Sequence, residues 1–293
     1  MTTDKKWAGT TFGSSHMHRS LIRLLRHTPV RAVYAFTNVF VIPVSLLLRP
    51  SGKIIYHYFR RRWGYSVAKS LVMTYVNHCY FGQIVVDKFA MWAGKRFKLS
   101  IVGLEHYEQL ERRDEAFVQL SAHIGNYEIA GYSLTAKHKR FNALVYGGEK
   151  PTVMEERNKI LSKDNIRLIA IKPDMSHLFE LNAALAAGEC VSLPADRIFG
   201  SSKSIEVTFL GKKAKFPAGP FQMPTMRGLN VLAVNVMKTS ATGYTVFVTP
   251  LAYDKTAPRQ EQMRQLATAY VAELERLLTL YPAQWYNYFE FWD

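Results

Sequence analysis

The chain has 293 residues, of which 48% are hydrophobic and 13% aromatic, and its formal net charge is +15. It is too apolar for a disordered chain and long enough for one large domain or two small ones. Its two cysteines lie 111 positions apart and indicate neither a disulfide framework nor a zinc site, so Cys79 and Cys190 are expected as reduced, buried thiols.

The positive charge belongs to one end of the chain. Residues 1–100 contain 16 Lys and Arg against two acidic residues, a net charge of +14, which leaves +1 for residues 101–293. A nucleic-acid-binding protein normally spreads its cations over the fold that recognises the nucleic acid. Here the cations flank the most apolar stretch of the chain, so we expect an anionic lipid surface as partner and no nucleic acid.

That apolar stretch is residues 32–48, which are 17 residues without a charge between Arg31 and Arg49. A bilayer span needs roughly 20 apolar residues, with about 17 as the lower limit. Because cations flank the stretch on both sides, a hairpin-like or in-plane insertion at the cytoplasmic leaflet is expected rather than a simple span. A buried core helix is the alternative. A secretory signal peptide is disfavoured, because the stretch begins late and no small-residue cleavage site follows it.

The rest of the chain alternates short apolar runs with helical periods. Residues 65–92 read as a helix. Strands are predicted at 97–102, 116–122, 142–146, 166–171, 190–194, 231–237 and 244–250, and helices at 127–138, 152–162, 174–187, 217–228 and 258–280. This alternation predicts an α/β fold with a central, mostly parallel sheet flanked by helices. We expect two parts: membrane-association helices at 1–96 and an α/β domain at 97–293.

The densest group of candidate functional residues is SAHIGNYEIAG, residues 121–131. A strand ends at His123, Gly125 permits a tight turn, Asn126 suits a helix N-cap, and Glu128 falls in the first helical turn. Ligands of open α/β sheets bind beyond the carboxyl ends of strands, where this arrangement places His123. Glu128 could hold the imidazole tautomer that a general base needs. The alternative is a structural histidine and a carboxylate that only complements the helix dipole.

Because the chain has no GxSxG sequence, direct attack on an activated acyl group is favoured over a covalent acyl-enzyme. Asp196 follows the strand CVSLP and would lie near His123 if the two strands are neighbours. Arg197 could stabilise a thioester oxyanion or bind a phosphate. A structural pair of Asp196 and Arg197 is the alternative. The turn at Gly211, Lys212 and Lys213 could attract an acidic carrier protein or a coenzyme A phosphate, or be a solvated hairpin tip.

The HxxxxE sequence at a strand-to-helix turn resembles the HxxxxD/E signature of the glycerolipid and lipid A acyltransferases. Two later segments, ADRIFGSSKSIEVTFLGKKAKFPAGP at 195–220 and PAQW at 282–285, resemble the lipid A late (lauroyl/myristoyl) acyltransferase family in the same order. The resemblance implies His123 as catalytic base with Glu128 as its partner. Gly125, Asn126, Asp196 and Arg197 would then shape the substrate site. It implies an acyl carrier protein or coenzyme A thioester as donor and a lipid acceptor, with no metal or tightly bound cofactor.

The chain departs from the family pattern at two places. Gly147, Gly148 and Glu149 follow Tyr146 where lipid A enzymes carry an arginine, and the chain ends in NYFEFWD in place of a basic H-R-R. This ending, with the ADR and FPAGP elements, resembles the subgroup associated with aryl polyene and flexirubin-type pigments. The expected location is the cytoplasmic face of a bacterial inner membrane. Two alternatives stay open: a glycerophospholipid acyltransferase, and a non-enzymatic protein that binds anionic membranes or nucleic acid.

Overall fold

The computed structural model describes residues 14–126, 129, 134, 137–148, 165–198 and 203–292. Helices precede the first strand in the described part of the chain. These are α1 (Ser15–His27), α2 (Val30–Phe36), a π-helical turn (Thr37–Val41), α3 (Ile42–Leu48), α4 (Ser51–Arg62) and α5 (Val67–Trp92). Ser66 starts α5, because its hydroxyl accepts from the backbone N–H of Lys69 at 3.3 Å. The helix predicted at 65–92 is thereby confirmed.

The central sheet has seven strands. They are β1 (Lys98–Val102), β2 (Phe117–Ser121), β3 (Phe141–Val145), β4 (Ile166–Ala170), β5 (Cys190–Pro194), β8 (Asn230–Ser240) and β9 (Gly243–Leu251). Their order across the sheet is β1-β9-β8-β2-β5-β3-β4. All neighbouring pairs are parallel except β8 and β9, which are antiparallel. The seven predicted strands are these seven, and the predicted α/β class with a mostly parallel sheet is confirmed.

A separate antiparallel hairpin, β6 (Ser204–Phe209) and β7 (Lys212–Pro217), was not among the predicted strands. Its inner face buries four apolar side chains, while the residues between them are exposed: the buried ones are Val207, Phe209, Ala214 and Phe216. Gly211 lies at the turn with φ of +76°, and a Cβ added to it would meet nothing within 4 Å. The segment at Gly211 is therefore a hairpin tip, and its expected attraction for an acidic carrier protein or a coenzyme A phosphate stays a prediction.

Helices cover both faces of the sheet. They are α6 (Leu104–Glu111), α7 (His177–Ala186), α8 (Gly219–Arg227) and α9 (Arg259–Leu280), with a 3₁₀ turn at Pro282–Gln284. The helices predicted at 174–187, 217–228 and 258–280 are confirmed to within three residues at each end. Most of the helix predicted at 127–138, and all of the helix predicted at 152–162, lies outside the described residues.

The hydrophobic core continues from the sheet into the amino-terminal helices. Ile55 and Phe59 of α4 are fully buried in the same cluster as Val118 and Leu120 of β2 and Tyr270 of α9. Burial of a large apolar side chain stabilises a fold by about 1.5–3 kcal/mol. Residues on both sides of the boundary expected at 96/97 therefore share one core.

A buried polar cluster makes a second connection between these parts. Asp87 of α5 accepts from the Lys238 ammonium of β8 at 2.5 Å and from the hydroxyls of Tyr34 and Tyr244. The Lys238 and Asp87 side chains are 1% and 0% exposed. Burial raises the pKa of Asp87 and lowers that of Lys238, and their mutual attraction opposes both shifts. A buried ion pair tolerates loss of one partner poorly, since the other charge is left uncompensated. The cluster thus fixes α2 and α5 against β8 and β9.

Candidate active site

The carboxyl ends of the neighbouring parallel strands β2 and β5 carry the two central side chains of the site. Ser121 lies opposite Pro194 in the register, and the N–H of Ala195 donates to the Ser121 carbonyl at 2.9 Å. His123 and Asp196 each follow two residues after this last pair. The strand pairing therefore places the histidine beside the aspartate, as the sequence predicted for the case of neighbouring strands.

Asp196 contacts His123 with both carboxylate oxygens. Oδ1 lies 2.7 Å from the imidazole Nδ1, and Oδ2 accepts from the His123 backbone N–H at 2.8 Å. The Asp196 side chain is 2% exposed and the His123 side chain 23%. An ionised carboxylate accepts and never donates, so Nδ1 carries the proton and the lone pair of the neutral ring is on Nε2. This is the tautomer of a general base.

The electrostatics keep Asp196 ionised. Burial acts to raise the pKa of this carboxyl, but the attraction and hydrogen bonds of His123, together with the nearby charge of Arg197, outweigh it, and the pKa lies below its usual value. The stability that this carboxylate gives is therefore present at neutral pH and is lost only as the pH falls through the lowered pKa.

Arg197 is held beside the carboxylate by the carboxyl-terminal segment of the chain. Its Nη2 donates to the Tyr286 carbonyl at 2.9 Å, and its guanidinium carbon lies 5.7 Å from the centre of the Phe289 ring. The expected role of Arg197 in oxyanion or phosphate binding stays a prediction.

Gly125 and Asn126 hold the turn after His123 against β8. The Asn126 N–H donates to the Val236 carbonyl at 2.7 Å, and the Asn126 amide donates to the Tyr244 hydroxyl at 3.3 Å. Gly125 has φ of +54°, and a Cβ added to it would lie 1.9 Å from the Val236 carbonyl oxygen. These contacts are to protein, and the expected part of both residues in substrate binding stays a prediction.

Glu128, the expected partner of His123, lies outside the described residues. Its orienting role therefore stays a prediction.

The PAQW segment pairs with the turn that carries His123, here called the His123 loop (residues 122–126). The Gly125 N–H donates to the Gln284 carbonyl at 2.8 Å, and the Tyr286 N–H donates to the His123 carbonyl at 3.2 Å. Ile124 and Trp285 form an antiparallel bridge between these two contacts, and Trp285 is 2% exposed. The carboxyl-terminal segment thus borders the His123 loop through backbone hydrogen bonds.

This segment is itself fixed from two sides. The Gln284 amide makes two hydrogen bonds of 2.8 Å to the backbone of Lys238 in β8. The buried Asn77 amide of α5 donates to the carbonyls of Ala283 at 3.0 Å and Trp285 at 2.8 Å. Buried amides matched in this way are costly to remove, because their partners would remain unsatisfied. The position of the His123 loop therefore depends on α5 and β8.

Sequence reasoning missed Asn77, Asp87 and Lys238. Each is a polar residue in an otherwise apolar helix or strand, which is the signal that could have selected them. Asp87 is one of only two acidic residues among residues 1–100, the other being Asp4.

Comparison with known proteins identifies the class. The model of the family described as bacterial lipid A biosynthesis acyltransferase matches residues 78–292. The chain belongs to this family and is an acyltransferase of the lipid A and glycerolipid type, with an acyl donor and a lipid acceptor as substrates. This decides for the enzyme over the non-enzymatic alternative. The matched region begins within α5, at His78, so it includes Asp87 but not Asn77.

Among solved structures, the chain is similar to the 1-acyl-sn-glycerophosphate (LPA) acyltransferase PlsC from Thermotoga maritima. The two share 15% identity over 92% of this chain and 99% of that one, with a TM-score of 0.41. A search of the curated proteins gives no match.

We expect Gly125→Ala to abolish acyl transfer, because the new Cβ would collide with the Val236 backbone and displace the His123 loop. Gly211→Ala is the matched control, since this glycine also has a positive φ but nothing within 4 Å. Left-handed strain alone costs roughly 1–2 kcal/mol, and Gly211→Ala should lose only that stability. Thermal unfolding and acyl transfer are measured together, and equal behaviour of the two variants would contradict the packing role of Gly125.

Proposed function

We propose that this enzyme moves an acyl chain from an acyl carrier protein or coenzyme A thioester to a hydroxyl or amine of a lipid acceptor, with His123 as general base. The observation that supports this most is the 2.7 Å contact between the Asp196 carboxylate and Nδ1 of His123 at the carboxyl edge of the sheet. Such a carboxylate orients the ring and stabilises the imidazolium that forms during the reaction.

The reaction balances without a covalent enzyme intermediate. Nε2 of His123 takes the proton of the acceptor hydroxyl or amine while its oxygen or nitrogen attacks the thioester carbonyl carbon. The tetrahedral intermediate expels the thiolate, which takes the proton from the imidazolium and leaves as the free thiol. The new bond is an ester or an amide. Arg197, next to Asp196, is the candidate for stabilising the oxyanion.

In this proposal Asp196 orients the imidazole, and Glu128 is kept as a second carboxylate for the imidazolium or the acceptor. Asp196 is suited to the first task, because it is buried and both its oxygens are used on His123.

For the acceptor we propose a lipid of the aryl polyene type. The support is the NYFEFWD ending, which places Glu290 where the related lipid A sequences carry cations that would suit a phosphorylated sugar. Mass spectrometry of lipids from cells with and without the protein tests this. Loss of an acylated lipid A species instead would overturn it.

We expect His123→Ala and Asp196→Asn to lower kcat for acyl transfer, measured with both carrier-protein and coenzyme A donors. An asparagine amide in place of the carboxylate can donate to Nδ1 and move the ring proton to Nε2. In a hydrolase triad such a change lowers kcat about 10⁴-fold. Asp254→Asn is the control, since this carboxylate is exposed and bonds only to its own turn. Full activity of folded His123→Ala protein would exclude the proposed base.

We propose further that the helix at Val30–Leu48 lies in the plane of the membrane, at the cytoplasmic face of a bacterial inner membrane. By length and composition alone it could cross a bilayer: it has 19 residues with a mean hydropathy of 1.7, and 22% of it is buried. Its outer side is exposed over its whole length, at Phe36, Val39, Phe40, Val44, Leu47 and Leu48. We call these six residues the apolar face.

The inner side of this helix is attached to the domain at several points. The Tyr34 hydroxyl donates to Asp87 and lies 3.1 Å from the Ala241 carbonyl oxygen, and the Tyr75 hydroxyl donates to the Asn38 carbonyl at 3.0 Å. Near the middle, Gly82 of α5 lets the helices approach closely. A perpendicular crossing would carry α5 and the attached domain into the bilayer, whereas an in-plane position immerses only the apolar face.

We expect the double variant Phe40→Glu/Leu47→Glu to lose binding to vesicles that contain anionic lipid, because two charges would enter the apolar face. Phe40 and Leu47 are 61% and 85% exposed, so folding should be unaffected. Phe179→Glu is the control at a comparably exposed phenylalanine of α7. Vesicle flotation is the measurement. Retention of the double variant together with the wild type would contradict the proposed orientation.

A further inference from the structure

A small surface pocket beside the active site is lined by cations from two distant parts of the sequence. Arg61 and Arg62 come from the last turn of α4, and Lys212 from the start of β7. His57, Asn287 and one acidic residue, Glu290, also line it. Its cavity volume is about 40 Å³, which is enough for a few atoms and far too small for an acyl chain.

The three cations lack a carboxylate partner within hydrogen-bonding distance among the described residues. In the part of the chain that the structure describes, Arg61, Arg62 and Lys212 form no ion pair with a carboxylate. The neighbouring Lys213 differs, because its ammonium lies 2.9 Å from Glu206. The guanidinium of Arg62 lies 5.1 Å from the centre of the Trp292 ring, which gives it a defined position. Cations gathered around a small cavity attract an anion.

The pocket adjoins the active site through the carboxyl-terminal segment. Trp285 lines the pocket and pairs with Ile124 of the His123 loop. Phe289 lines it as well, and the guanidinium of Arg197 lies over the ring of Phe289. A small anionic group in the pocket would therefore be separated from the catalytic residues by one layer of side chains.

We propose that Arg61, Arg62 and Lys212 form a subsite for a phosphate ester of a substrate, with Glu290 opposing the bound charge. Planar guanidinium groups bind phosphate through paired hydrogen bonds, and an ammonium adds a point charge. A phosphate ester occurs in the pantetheine arm of the thioester donor and in phospholipid headgroups. Its use as a substrate subsite rests on the acyl transfer proposed above, whereas the binding of an anion does not.

Substitution of Glu290 should change the affinity for the anion in the opposite direction to substitution of the cations. Its carboxylate lines the same pocket and repels a phosphate, so Glu290→Gln should bind the anion more tightly. Arg61→Ala and Lys212→Ala should bind it more weakly, by about tenfold each, which is typical for loss of one charge-assisted hydrogen bond. Lys213→Ala removes an equal charge one residue from Lys212 and should leave binding unchanged, since Lys213 is paired with Glu206.

The experiment is calorimetric titration of the full chain in nonionic detergent with two probes, 4′-phosphopantetheine and dihexanoyl phosphatidic acid. Binding of the first with the expected order of variants assigns the subsite to the donor, and binding of the second assigns it to a lipid headgroup. Absence of binding by both probes would overturn the proposal. An equal loss in Lys212→Ala and Lys213→Ala would also overturn it, because diffuse surface charge would then suffice.

Failure of this proposal is distinguishable from failure of the proposed chemistry. His123→Ala should bind the probes as the wild type does, since His123 is not part of the pocket lining. If that variant retained full acyl transfer, the base would be wrong and the phosphate subsite would stand.

Discussion

The site depends on the position of one carboxyl-terminal segment between three other parts of the fold. Residues 283–286 receive hydrogen bonds from Asn77 of α5, exchange a pair with Lys238 of β8, and border the His123 loop. None of these partners is near another in sequence, so the position of the His123 loop requires α5, β8 and the carboxyl-terminal segment to be packed together. The PAQW motif has a physical role in this arrangement. Its glutamine forms hydrogen bonds with the backbone N–H and carbonyl of Lys238 in β8. Its tryptophan is buried in the main hydrophobic core.

The same contacts relate His123 to the helix at Val30–Leu48. Helix α5 carries Asn77, which holds the carboxyl-terminal segment beside His123, and also Asp87, which holds Tyr34 on the helix with the apolar face. The distance from this helix to His123 is therefore set by the packing of folded elements rather than by a linker. An enzyme that takes its acceptor from a lipid layer benefits from this geometry, because positioning of the reactants accounts for much of the achievable rate enhancement.

Much of the fold was predictable because the responsible forces are local in sequence. The inner strands β2 and β8 are apolar runs, and burial on both faces gives such runs their composition. The hairpin β6–β7 was not predicted, because Lys212, Lys213 and Lys215 make β7 read as a charged segment. The apolar residues Ala214 and Phe216 alternate with these lysines and are the buried ones. Asp196 was placed near His123 on the condition that their strands were neighbours, and the pairing of Ser121 with Pro194 meets that condition. The partners of the carboxyl-terminal segment could not be predicted from the sequence. A lone Asn or Lys in an apolar helix or strand does not indicate which distant backbone group it will bind.

The net charge of +15 is distributed over cations with different surroundings: those beside the apolar face, the buried Lys238, and Arg61, Arg62 and Lys212 around the surface pocket.

The role proposed for His123 depends on the position of one proton on its ring. ¹⁵N NMR of histidine-labelled protein, with the His123 signals assigned by their loss in His123→Gln, reports which ring nitrogen carries the proton when the ring is neutral. We expect a proton on Nδ1, toward Asp196, and the lone pair on Nε2. A proton on Nε2 would contradict it, because the nitrogen proposed as the base could not then accept the proton of the acceptor.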